Sequence, residues 1–149
     1  MQIIKDIPED HEYLSFYREK TSHKGISNYL NIKQLIAKQV NSDFLDEISK
    51  LRNLVYLNLE TVTADNLRAL CKLDKLTTLK ICGVRKANDF SSLLEIPSLQ
   101  ALFIENAKHL CTLEHFSEAH LIKALGVEGS MYTKQKINSL QPLEGLKKL

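Results

Sequence analysis

Leu67-Arg68-Ala69-Leu70-Cys71-Lys72-Leu73-Asp74-Lys75-Leu76-Thr77-Thr78-Leu79-Lys80-Ile81 is the stretch that decides the fold. Its apolar residues Leu67, Leu70, Leu73, Leu76 and Leu79 recur every third position, and the template then closes on a spacing of two at Ile81. The copy before it is Leu45, Ile48, Leu51, Leu54, Leu57, Leu59. The copies after it are Phe90, Leu93, Ile96, Leu99, Leu102, Ile104 and Leu113, Phe116, Ala119, Ile122, Leu125, Val127. Ile137, Leu140, Leu143, Leu146 and Leu149 make a partial copy at the end. A fixed period of about 22 to 24 residues predicts a solenoid, whose units share one core by stacking.

The template divides into two local structures. Leu57-x-Leu59 and its equivalents alternate with period two, as a short half-buried strand does. Leu67-x-x-Leu70-x-x-Leu73 and its equivalents suit a short helix or a 3-10 turn. Ser42 and Asp43, Thr63 and Asp65, and Asn88 and Asp89 read as helix-start residues. The register extends upstream to Ile26, Tyr29, Ile32, Leu35 and Ala37, so a degenerate repeat begins near Ile26. Residues 1–22 do not match and read as an N-terminal cap with one helix, starting at Pro8 and running to about Lys20. Tyr13, Leu14, Phe16 and Tyr17 would cover the end of the stack, and Gly25 marks the break into the repeats of 23–149.

Leu54-Val55-Tyr56-Leu57-Asn58-Leu59 and Leu76-Thr77-Thr78-Leu79-Lys80-Ile81 resemble leucine-rich repeats. Ile137-Asn138-Ser139-Leu140-Gln141-Pro142-Leu143-Glu144-Gly145-Leu146 resembles the 22-residue class of internalins and phosphatase regulatory subunits. The resemblance covers about residues 26–149. It implies an α/β leucine-rich-repeat solenoid: a curved parallel sheet on the concave face, with short helices or 3-10 turns on the convex face. It is nearly silent on function. The family's amide ladder falls here on Val40, Val62, Val84, Ala107 and Ser130, which predicts irregular turns packed by apolar contacts. Leu149 stands where a strand should begin, so the last repeat is expected to be uncapped and to expose a strand edge. Three expectations follow: a piece of a longer array, self-pairing as a homodimer through the open C-terminal end, or a frayed last segment.

Bulk properties narrow the function. Hydrophobic residues are 44% and charged residues 26%, which excludes disorder, and no apolar run is long enough to span a bilayer. A net charge of +2 creates no strong field for nucleic acid or membranes. Cys71, Cys82 and Cys111 have no paired spacing, and Met1-Gln2-Ile3-Ile4-Lys5-Asp6 lacks a secretory stretch; both fit a cytoplasmic protein with reduced thiols.

Strand residues between the buried positions form columns on the concave face. One is Gln34, Tyr56, Thr78, Ala101, Ala124; the next is Ile36, Asn58, Lys80, Phe103, Gly126; the third is Lys38, Glu60, Cys82, Glu105, Glu128. The candidate partner-binding residues are Tyr56, Asn58, Glu60, Thr78, Lys80, Phe103, Glu105 and Glu128. Phe103 beside Tyr56 supplies aromatic anchors, and the glutamate edge favours a basic partner. Ala101, Ala124 and Gly126 predict a flatter C-terminal half.

Other chemistries find little support. His109, Cys111, His115 and His120 with Glu114 and Glu118 are the one metal-like cluster, but the register separates them. Cys82 has glutamates, not a histidine, as neighbours, and no phosphate loop or nucleophile elbow is present. The expectation is therefore no enzyme, no cofactor and no metal. Tyr13, Phe16 and Tyr17 interleaved with Arg18, Lys20, His23 and Lys24 form a second, weaker candidate surface, for single-stranded nucleic acid. The favoured reading is an adaptor or inhibitor that binds a protein partner on its concave face, and the runner-up is a structural fragment without independent activity.

Overall fold

The computed structural model describes residues 7, 8 and 10–149. Strands β1 (Tyr13–Tyr17), β2 (Gln34–Val40), β3 (Tyr56–Val62), β4 (Thr78–Val84), β5 (Ala101–Glu105) and β6 (Ala124–Glu128) form one parallel sheet in sequence order. Helix α1 (Ser42–Ile48) is the return after β2. The other returns carry 3-10 turns at Ile26–Asn28, Arg68–Lys72, Ser91–Glu95, Glu114–Phe116 and Gln141–Leu143. No helix among the described residues is long and apolar enough to cross a membrane.

The template residues are the core. Leu57, Leu59, Leu67, Leu70, Leu76, Leu79 and Ile81 have no exposed surface, and the same holds for Leu35, Ala37, Ile26 and Ile32 of the degenerate repeat. Leucines three apart stack on one side of a 3-10 turn, which repeats every three residues. Each 3-10 turn from the second onward is opened by a side chain that accepts from the backbone two residues on. Asn66 accepts from Arg68, Asp89 from Ser91, Thr112 from Glu114 and Ser139 from Gln141, at 2.9 to 3.2 Å. The cap of α1 is Asn41, whose Oδ1 accepts from the Phe44 N–H at 3.0 Å; Ser42 and Asp43 lie inside the helix.

The helix expected from Pro8 to Lys20 is not formed in its central part. Residues 13–17 are β1, paired in register with β2. Leu14 and Phe16 enter the core beside Leu35 and Ala37, while Tyr13 and Tyr17 face outward at about half exposure. Two core residues at a spacing of two are aligned by a strand and splayed by a helix. Residues 1–6, on which the expectation of a non-secretory start rests, and Glu9 of the expected cap helix lie outside the described residues.

The first four of the five turns on the ladder side are regular, against the expectation of irregular turns. Gln39, Thr61, Gly83 and Asn106 hold equivalent positions and all adopt positive φ, between 52° and 69°. Strand pairing steps over the first three: Lys38 pairs with Glu60 and Val40 with Val62, then Glu60 with Cys82 and Val62 with Val84. The left-handed residue swings the next side chain inward, so Val40, Val62 and Val84 are fully buried. Their carbonyls accept from Thr63, Arg85 and Lys108 of the following rung at 2.8 to 3.0 Å. Backbone bonds thus tie the rungs where amide side chains are lacking.

Candidate functional site

Strand pairing brings the predicted columns together as the sequence placed them. Tyr56, Thr78, Ala101 and Ala124 are consecutive partners, as are Asn58, Lys80, Phe103 and Gly126, and Glu60, Cys82, Glu105 and Glu128. β1 adds Tyr13, Ser15 and Tyr17 to the same rows. Neighbouring residues of a row stand about 4.8 Å apart, the spacing of paired strands.

A hollow of about 300 Å³ opens on this face. Of the eight candidates, Tyr56, Thr78, Lys80, Phe103, Glu105 and Glu128 line it, together with Ile104 and Gly126. Asn58 and Glu60 stand beside it. Glu60 is paired with Lys38 at 3.1 Å and accepts from Asn58 Nδ2 at 3.4 Å. The C-terminal half is not flat, and Gly126 is the reason. A Cβ at Gly126 would lie 2.7 Å from Cδ1 of Phe103, so the missing side chain gives the ring its place over β6. Phe103 keeps 39% of its surface exposed. The absence of a Cβ, taken in the sequence as lack of relief, makes the relief.

The charge on this face is uneven. Among the described residues neither Glu105 nor Glu128 is in an ion pair. Burial pushes the Cys82 thiol up, and Glu105 and Glu60 push it further, so the thiol stays protonated and bonds to Glu105. It is a poor nucleophile in this setting.

The histidine and cysteine candidates do not converge. His120 Nε2 lies 2.9 Å from Glu118, His115 packs its ring 5.9 Å from that of Phe90, and Cys111 is exposed. Among the described residues no three His, Cys, Asp or Glu side chains could together hold a metal ion. The basic and aromatic stretch near the N-terminus is also broken up. Phe16 and His23 are buried, and Arg18 is bound to the carbonyls of Gln39 and Lys20 at 2.5 and 2.9 Å. Stacking of successive bases needs exposed rings, and only Tyr13 and Tyr17 of the three aromatics offer one.

Sequence reasoning missed a loop. After β6, residues 129–136 fold back on the segment that follows β5. Gln135 accepts from the Ala107 N–H at 3.1 Å and donates to the carbonyls of Ala107 and Leu110 at 3.2 and 2.5 Å. Its amide performs at the last rung the tying that the ladder valines leave to the backbone. Met131 and Tyr132 at its tip are 88% and 90% exposed. No periodic signal marks Gln135, because it acts from an irregular segment.

No protein-family model matches the sequence, and no curated protein sequence matches it. Solved structures do. An internalin (inlF) from Listeria monocytogenes str. 4b F2365 is similar over 93% of this chain and 39% of its own, at 18% identity and a TM-score of 0.60. An internalin C2 (inlC2) from the same strain is similar over 83% of this chain and 52% of its own, at 21% identity and a TM-score of 0.63. The chain thus spans about two fifths to half the length of these structures. The architecture, the register and these likenesses together establish the fold as that of a leucine-rich-repeat solenoid.

Proposed function

We propose that this chain is a non-enzymatic module that binds a protein partner on its concave face, as an adaptor or an inhibitor. The observation that carries this reading is the hollow on that face, walled by Phe103 and Tyr56 and edged by charge. The mechanism is steric and electrostatic: a rigid sheet presents aromatic anchors to be desolvated and carboxylates that steer a basic partner. The leucine-rich-repeat fold supports interaction as the general role. Three unpaired thiols support a cytoplasmic setting.

Affinity capture from native lysate, with the wild type and a Tyr56→Ala, Lys80→Glu, Phe103→Ala variant side by side, tests the reading. The expected outcome is a stoichiometric partner that the variant loses while its circular dichroism stays unchanged. A partner held equally by both proteins places binding on another surface.

A further inference from the structure

We infer that the hollow takes an arginine side chain of the protein partner, its guanidinium held against the Phe103 ring and between the carboxylates of Glu105 and Glu128. This rests on the concave-face reading above and gives the partner its chemistry.

The first ground is an uncompensated pair of like charges. Glu105 and Glu128 are direct partners on adjacent parallel strands. Like charges placed opposite each other in a sheet are destabilising. The same column is neutralised at β3, where Lys38 meets Glu60 at 3.1 Å. At β5 and β6 nothing comparable occurs among the described residues, although Lys80 also lines the hollow. Two carboxylates outnumber its single charge. Cys82, next in the column, gives Glu105 a neutral thiol donor but no compensating charge.

The second ground is shape. Gly126 leaves the Phe103 ring as a wall of the hollow beside this carboxylate pair. About 300 Å³ is room for one long side chain rather than for a folded element. A cation over an aromatic face is attracted by the ring's quadrupole. Guanidinium adds a planar fork that donates to two carboxylates at once while it stacks, which the compact ammonium of lysine does not do.

The test uses amide chemical shifts of the labelled full chain titrated with N-acetyl-arginine methylamide. Parallel arms use the citrulline and lysine analogues. We expect saturable shifts at Glu105, Gly126 and Glu128 with arginine, at least tenfold weaker affinity for citrulline, and an intermediate lysine. A Glu105→Gln, Glu128→Gln variant should lose arginine binding at least tenfold and melt at a higher temperature, since relief of repulsion is the opposite of damage. No shifts, an equal response to citrulline, or unchanged arginine binding by the variant overturns the proposal. A captured partner that needs Tyr56 and Phe103 but ignores the glutamine variant overturns the arginine alone and leaves the concave-face reading standing.

Discussion

At the scale of single residues, Thr61 and His23 carry the clearest consequences. Thr61 is β-branched and sits at φ 57°, a region that costs an L-residue about 1–2 kcal/mol and that asparagine tolerates best after glycine. Its equivalents Gly83 and Asn106 are the residue types suited to that turn. Thr61→Asn should therefore stabilise the chain by about 1 kcal/mol in urea unfolding; an unchanged midpoint would show that the Thr61 backbone is not strained. The pattern was not legible in the sequence because Gln39 and Thr61 give no sign of left-handed backbone. His23 is 2% exposed and packs on Phe44 at 5.3 Å. Burial first, and the Arg18 charge second, hold its pKa below the ordinary 6.5. The unfolded chain therefore takes up this proton first. Stability should fall as pH drops below 6.5 and level off once pH passes the folded value. A His23→Leu variant should lack that slope in melts between pH 7 and 5. Glu47 acts in a separate window. Lys50 first, with Ser27 and the Gly25 N–H, lowers its pKa to about 2, so its contribution is present above 4.5 and is lost on further acidification.

At the scale of elements, the strands were legible and their ends were not. Alternating leucines located β2 to β6, because burial on one face leaves a strict spacing of two. β1 escaped because Tyr13 and Tyr17 flank Leu14 and Phe16, so four of five residues look apolar and the alternation disappears. Spacing-three leucines gave the returns, but Asn41 rather than Ser42 or Asp43 caps α1. Asn41→Ala should cost about 1 kcal/mol, read as a lower urea midpoint. Gln135 ties the final loop through three bonds that no spacing rule exposes. Gln135→Ala leaves the Ala107 N–H without its acceptor and should lower stability by about 1–3 kcal/mol. Faster amide exchange confined to Ala107 and the loop would confirm the local origin, and unchanged exchange would reject the tie.

At the scale of the whole molecule, one repeat unit sets everything. Leu79 is fully buried in the middle of the stack. Leu79→Asp places an unpaired charge there, at a cost comparable with the total stability of a domain, about 5–15 kcal/mol. The expected outcome is loss of the cooperative melting transition; a wild-type melt would mean that the core is elsewhere. The candidate site was legible in the same way, since register alone put Tyr56, Thr78, Lys80, Phe103, Glu105 and Glu128 on one patch. The depth of that patch was not legible, because it depends on how the Phe103 ring settles against a glycine one strand away. Finally, each strand is hydrogen-bonded to the next in a row from β1 to β6. Such a row is a mechanical zipper. Drawn apart from its two ends in an optical trap, it should yield rung by rung, each step lengthening the tether by about 75 Å for about 22 extended residues. The first rung to tear should be the one at β6, whose Leu125 and Val127 are the least enclosed of the strand cores.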